Sequence, residues 1–193
     1  MNQHEKHLEN VKRNGMILDF IKEQTDEICL EAVKQNGLAL QYVKKQTPEI
    51  CLEAVKNNAS TLRYVQQQTN EMCLEAVKQN GYALQYVKNQ TEEICIKAVN
   101  INISTIIYIQ DANILKNVCN TLNILYLPAN KNHRDLILKF VYGAYRCWIG
   151  CQEDISVEQL IWRIYNTDGG LQNNPHRQHY IDFLQNHNLY NMA

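Results

Sequence analysis

The chain has 193 residues, 45% of them hydrophobic, which is enough to fill the core of one large domain or two small ones. Its 19 basic and 20 acidic side chains leave a formal net charge of −1, which excludes an overall field drawing the protein to nucleic acid or to an anionic membrane; any charged site is local. No apolar run approaches the roughly 18 to 20 residues of a membrane span, and the polar opening MNQHEKHLENVK gives no secretion signal, so the seven cysteines read as free thiols of a reducing, cytoplasmic compartment.

From residue 3 to residue 112 the text repeats every 22 residues. A degraded unit, QHEKHLENVKRNGMILDFIKEQ (3–24), is followed by TDEICLEAVKQNGLALQYVKKQ (25–46), TPEICLEAVKNNASTLRYVQQQ (47–68), TNEMCLEAVKQNGYALQYVKNQ (69–90) and TEEICIKAVNINISTIIYIQDA (91–112). Residues 27–46 and 71–90 differ only at 28/72, 38/82 and 45/89, which suggests duplication in blocks of two units.

Each unit has a helix grammar. Thr25, Thr47, Thr69 and Thr91 are N-cap residues, acidic residues occupy the first turn, and Pro48 stands where a first helical turn tolerates proline. The helix is expected to stop near Asn14, Asn36, Asn58, Asn80 and Asn102, with the Asn in the left-handed conformation and Gly15, Gly37 and Gly81 after it. A second, shorter helix then covers GLALQYVKK and its counterparts. In the first helix Ile28, Cys29, Leu30, Ala32 and Val33 leave only a narrow polar stripe, so it is covered on most sides. Helices this short need neighbours, which makes the array a short-repeat α-solenoid.

Four ladders follow from the spacing. Cys29, Cys51, Cys73 and Cys95 read as small buried packing residues, not as redox or metal groups. Phe20, Tyr42, Tyr64, Tyr86 and Tyr108 read as rings in the core with hydroxyls at the rim, although such a ladder can also stack nucleobases. The Asn ladder reads as structural, and Glu31–Lys34, Glu53–Lys56 and Glu75–Lys78 as solvated helical neighbours. What varies is the exposed stripe of the second helix, and Gln41, Lys44, Arg63, Gln66, Tyr82, Gln85 and Lys88 are the expected partner-binding face.

The phrase ICLEAVKQNGYALQYVKNQT, in its variants at 28–47, 50–69 and 72–91, resembles an uncharacterised repeat domain of mimivirus-like giant viruses and some amoeba-associated bacteria. The resemblance implies a protein acting in the host cytoplasm or in a virion and carries no catalytic motif. Asn100, Ile101, Ile103 and Ile107 depart from the wording, which suggests a last unit adapted as a junction.

Beyond Ala112 the pattern dissolves. ILKNVCNTLNILYL reads as a frayed sixth unit, LPANKNHRD (127–135) as a loop, and DLILKFVYGAYRCWIG as a buried helix. Ser156 and Gln159 form a capping box before VEQLIWRIY, and Asn174–Pro175 opens HRQHYIDFLQNH. Cys147 and Cys151, four apart on the expected helix, and His176 and His179 offer a zinc set, while Asp168, His176, Arg177 and His179 offer a hydrolytic one. Both are outweighed by structural readings, a buried thiol beside Trp148 and a turn that opens a helix. No phosphate loop, nucleophile elbow or paired-carboxylate motif is present in the sequence.

The expectation is therefore an all-α protein: five repeats in 1–112, a degenerate repeat or junction in 113–130, and a C-terminal helical cap or small domain in 131–193. It is read as a non-enzymatic scaffold without catalytic, metal or cofactor residues, taking a protein partner and able to self-associate through its ends or a patch with Trp148 and Trp162. Lys44, Lys45, Arg63, Lys88 and the tyrosines favour nucleic acid, whereas Glu31, Glu53, Glu75 and the neutral total charge oppose it.

Overall fold

The threonine-headed word folds in the same way each time. Thr25, Thr47, Thr69 and Thr91 accept the N–H of Ile28, Ile50, Met72 and Ile94 at 3.3–3.4 Å. They start α2 (Asp26–Gln35), α3 (Pro48–Asn57), α4 (Asn70–Gln79) and α5 (Glu92–Ile101). Before them, Asn2 and Glu5 form a capping box on α1 (Gln3–Arg13). The computed structural model describes residues 2–127, 136–141, 144–149, 152–156, 175–187 and 189. The chain divides into Met1–Ile114 and Leu115–Ala193.

The second helix of each unit is not α but 3-10: η1 (Gly15–Phe20), η2 (Gly37–Tyr42), η3 (Ala59–Tyr64), η4 (Gly81–Tyr86) and η5 (Ile103–Tyr108). Among its buried positions Gly37, Leu40 and Val43 recur every three residues, which is the 3-10 period, with Ala39 buried beside them. The Asn between the two helices is not left-handed, as expected, but extended, with φ between −153° and −147°. The extended form lets it serve both helices. The N–H of Asn36 closes the last turn of α2 on the Ala32 carbonyl at 2.9 Å, while Oδ1 accepts the N–H of Leu38 at 3.0 Å and heads η2. No loop is needed between them.

Stacked units make two layers, α-helices in one and 3-10 helices in the other, with each α-helix packed on its own 3-10 helix and on the preceding one. Ile28, Cys29, Ala32, Val33, Leu40 and their counterparts in the next three units are nearly fully buried. Gly37 is required by close approach: a Cβ there would lie 2.5 Å from the Ala54 carbonyl oxygen of the next unit, and at Gly15 the distance to Ala32 is 2.3 Å. The Cγ2 methyls of Thr61 and Thr105 fill the space beside Gly37 and Gly81, so small and large residues alternate between successive units. This gives the two-unit pattern in the text a packing basis.

A second set of bonds ties the units. Gln46 Nε2 donates to the Tyr64 carbonyl at 2.9 Å, and its Oε1 accepts the N–H of Gln66 at 3.0 Å. Gln24, Gln68 and Gln90 repeat this bridge to Tyr42 and Lys44, to Tyr86 and Lys88, and to Tyr108 and Gln110. The same oxygens accept weak bonds from the thiols of Cys29, Cys51, Cys73 and Cys95 at 3.5–3.9 Å. The recurring cysteine is thus a buried packing residue that also touches the inter-unit amide. Ala112 stands at the next ladder position, and the bridge ends there; Asp111 instead accepts the N–H groups of Asn113 and Ile114 and starts α6 (Ala112–Leu122).

The second compact unit corrects the all-α expectation. Helix α6 ends and Asn123 turns the chain at φ 52°, an αL value Asn tolerates. The strands β1 (Ile124–Leu127), β2 (Leu136–Val141), β3 (Ala144–Ile149) and β4 (Gln152–Ser156) then form an antiparallel sheet in chain order. The buried helix expected over 135–150 is therefore the β2–β3 hairpin, in which Val141 pairs with Ala144 and Leu138 with Cys147. An apolar run of this length fits a buried strand pair as well as a helix, and its Ile, Val, Phe, Tyr and Trp content favours strands. Helix α7 (Pro175–Asn186) opens at the expected proline. Its Ile181 and Leu184 form a core with Leu136, Leu138 and Cys147. Ser156 is the last residue of β4, and the capping box with Gln159, the helix from 157 and the loop from 128 to 135 lie outside the described residues.

Candidate functional site

The 3-10 layer holds the expected binding face. Gln41, Arg63 and Gln85 share one exposed position of η2, η3 and η4, Lys44, Gln66 and Lys88 follow each helix and are exposed, and Tyr82 opens η4 half-buried. The stack therefore brings all seven residues onto one layer.

Several of them are positioned by main-chain contacts. Gln41 and Gln85 donate to the Leu38 and Tyr82 carbonyls of their own helices at 3.0 Å. The Lys44 ammonium donates to the Lys22 carbonyl one unit back at 2.7 Å, and Lys88 to Val65 and Gln66 at 2.9 and 3.0 Å. Two of the candidate residues thus also brace neighbouring units. The Arg63 guanidinium lies 4.7 Å from the Tyr64 ring centroid, a cation–π distance. Tyr82 meets Tyr108 edge to face at 6.2 Å. The tyrosine ladder is half-buried as rings leaning on neighbours, while Phe20 at the head of the ladder is 82% exposed.

Charge divides between the layers. Residues 37–46, 59–68 and 81–90 contain Lys44, Lys45, Arg63 and Lys88 and no Asp or Glu, whereas α2, α3 and α4 each carry two or three carboxylates against one lysine. The Lys34–Glu31 and Lys78–Glu75 pairs, at 2.9 and 3.8 Å, lie on the α-helices. No described carboxylate lies within ion-pairing distance of the four cations of the 3-10 layer. Balance in the total charge hides this division, as does any reading that sums Glu31, Glu53 and Glu75 with the cations.

A cleft of about 290 Å³ opens on the third unit, lined by its Thr47, Pro48, Cys51, Gln66, Gln67 and Gln68 and bordered by Gln46 of the second unit and Thr69 of the fourth. The side-chain amides of Gln66 and Gln67 on its wall are able to donate to and accept from a peptide main chain. The glutamine ladder behind it escapes a reading built on apolar periodicity, although an invariant Gln every 22 residues was the available signal. Burial pushes the thiols of Cys51 and Cys73 up, and those of Cys29 and Cys95 to about 11, so these cysteines are protonated and poor nucleophiles at neutral pH.

Among the described residues no group of three or more His, Cys, Asp or Glu is placed to hold a metal ion. Cys147 is buried in β3 and not on a helix, so the premise that spaced it with Cys151 fails; Cys151 and Asp168 lie outside the described residues. His176, Arg177 and His179 belong to α7. Among the described residues no helix is long and apolar enough to cross a membrane.

A tandem of short helical units, each bonded to the next and presenting one variable layer, defines the class as a helical repeat protein. The chain belongs to the family described as a domain of unknown function (DUF4116), whose model matches residues 5–46, 25–68, 47–90 and 69–122. The successive matches advance a unit at a time and overlap, so the family's span covers two or more adjacent units. No curated protein and no solved structure matches the chain.

Proposed function

We propose that the protein is a non-enzymatic interaction scaffold that binds another protein along the 3-10 layer of its repeats. One observation carries this reading: the caps, the glutamine bridges and most of the core repeat from unit to unit, while on one layer the half-buried positions 38, 60 and 82 change from Leu to Ser to Tyr and the exposed positions 41, 63 and 85 from Gln to Arg and back to Gln. Repeat arrays recognise extended partners through such a layer. The wording of the repeat further supports an origin in a giant virus or amoeba-associated microbe and action in the host cytoplasm or the particle.

The test is affinity capture from amoebal lysate with the full chain, under nuclease treatment, compared with the Gln41→Ala/Arg63→Ala/Gln85→Ala variant and with Glu31→Gln/Glu53→Gln/Glu75→Gln on the other layer. The expected result is a dominant protein that survives nuclease, disappears with the first variant and stays with the second. Capture of nucleic acid alone, or loss with the second variant only, contradicts the reading.

A further inference from the structure

The geometry points to an acidic, extended polypeptide segment as the ligand of the 3-10 layer, lying across the second to fourth units. This inference rests on the scaffold reading and specifies the partner's chemistry.

Three observations carry it. The first is the segregation of charge: the 3-10 stretches of the three inner units are free of Asp and Glu and hold Lys44, Lys45, Arg63 and Lys88, while the end units place Asp19, Glu23 and Asp111 against Lys22 on the same layer. The basic strip is thus bounded along the stack. The second is the state of the cations: no described carboxylate pairs with them, whereas Lys34 and Lys78, though not Lys56, pair with carboxylates of the α layer. Lys44 and Lys88 are also anchored by carbonyls of the preceding unit, so their ammonium groups are held in place at little further entropic cost on binding. The third is the amide lining supplied by Gln66 and Gln67, whose side chains suit a peptide backbone; the Gln68 amide beside them is already engaged in the bridge to Tyr86 and Lys88.

The spacing favours polypeptide over nucleic acid. Stacked helices repeat at about 10 Å, which an extended chain covers in roughly three residues. One carboxylate every third residue would therefore meet about one cation per unit. A nucleic-acid strand brings more charge per unit length than this strip neutralises. Two of the four tyrosines that a base would stack on are occupied, Tyr64 by Arg63 and Tyr108 by Tyr82. Glu31, Glu53 and Glu75 do not oppose the ligand, because they lie in the other layer.

The experiment uses the full chain and fluorescent peptides of about twelve residues, Glu-Gly-Ser repeats against Gln-Gly-Ser and Lys-Gly-Ser repeats, with a single-stranded RNA of similar length. The Glu peptide is expected to bind about tenfold or more tightly than the Gln peptide at low salt and to weaken steeply as salt rises. The Lys44→Gln/Lys45→Gln/Arg63→Gln/Lys88→Gln variant is expected to lose about that factor. Because Lys44 and Lys88 also brace the stack, Lys45→Gln/Arg63→Gln, with its melting temperature checked, is expected to lose part of the affinity while remaining folded. Equal binding of Glu and Gln peptides removes the acidic specificity and leaves the scaffold reading standing. Tighter binding of RNA than of the Glu peptide, or of the Lys peptide, overturns the inference. So does an unchanged affinity in the quadruple variant. If neither peptide nor RNA binds, the inference falls, and lysate capture judges the scaffold reading separately.

Discussion

The repeat units and the C-terminal sheet solve the same problem over different distances along the chain. In the repeats, the bonds that join one unit to the next link residues 18 to 24 apart, as Gln46 to Tyr64 and Gln79 to Val55 do. In the sheet unit, Leu138 of β2 shares a core with Leu184 of α7, much further along the chain. A repeat therefore depends mainly on its neighbours, and damage in one unit should spread by one layer at a time. The sheet unit assembles through non-local contacts and should open as a whole.

The largest expected effect sharpens that difference. Leu62→Ala, at a fully buried 3-10 position, should lose about 2–5 kcal/mol, with hydrogen exchange rising most in residues 47–90 and least in the strands. Leu138→Ala should do the reverse, speeding exchange in every described strand and in α7 while sparing the repeats. Uniform acceleration throughout the chain in either variant would break the comparison.

Gly37→Ala comes next, at about 1–3 kcal/mol, because its Cβ meets the Ala54 carbonyl oxygen at 2.5 Å, and main chain cannot yield as a flexible side chain does. The milder approach at Gly81, 2.8 Å from Ala98, should make Gly81→Ala the smaller loss, and paired thermal melts check the order. Gln46→Ala should lose about 1–3 kcal/mol by leaving the Tyr64 carbonyl and the Gln66 N–H without their partner.

The smallest effect concerns the thiols. Folding raises the pKa of Cys29 and Cys95 from 9.0 to about 11, so above pH 9 the unfolded chain loses these protons first. Stability contributed by the protonated buried thiols is intact below pH 9 and falls as pH rises toward 11. A melting series across that window should show the decline, and it should shrink in Cys29→Ala/Cys95→Ala. Alkylation of Cys29, Cys51, Cys73 and Cys95 at pH 7.5 should be slow until the protein is denatured.

Repetition is what made the first region legible. Thr25, Pro48 and the invariant Asn announce each helix boundary several times over, and the buried pattern at Ile28, Cys29, Ala32 and Val33 returns with the same meaning. The 3-10 helices were also written in the text, through the spacing of Gly37, Leu40 and Val43, but a period of three is easily taken for an α-helical stripe. The state of Asn36 was not legible, since extended and left-handed caps use the same residue. In the second region a single run, Leu136 to Ile149, had no repeat to check it, and pairing partners across the sheet leave no local mark. For the candidate site, sequence marked the variable positions but not the separation of charge, which depends on which layer each helix occupies.

The central claim is that a protein partner contacts the 3-10 layer. A photo-cross-linking residue placed at position 85 of the full chain, or at position 75 on α4, tests it directly in amoebal lysate. The account predicts a single dominant protein adduct from position 85 and none of the same mass from position 75. Adducts from position 75 alone, or equal adducts from both, would contradict it.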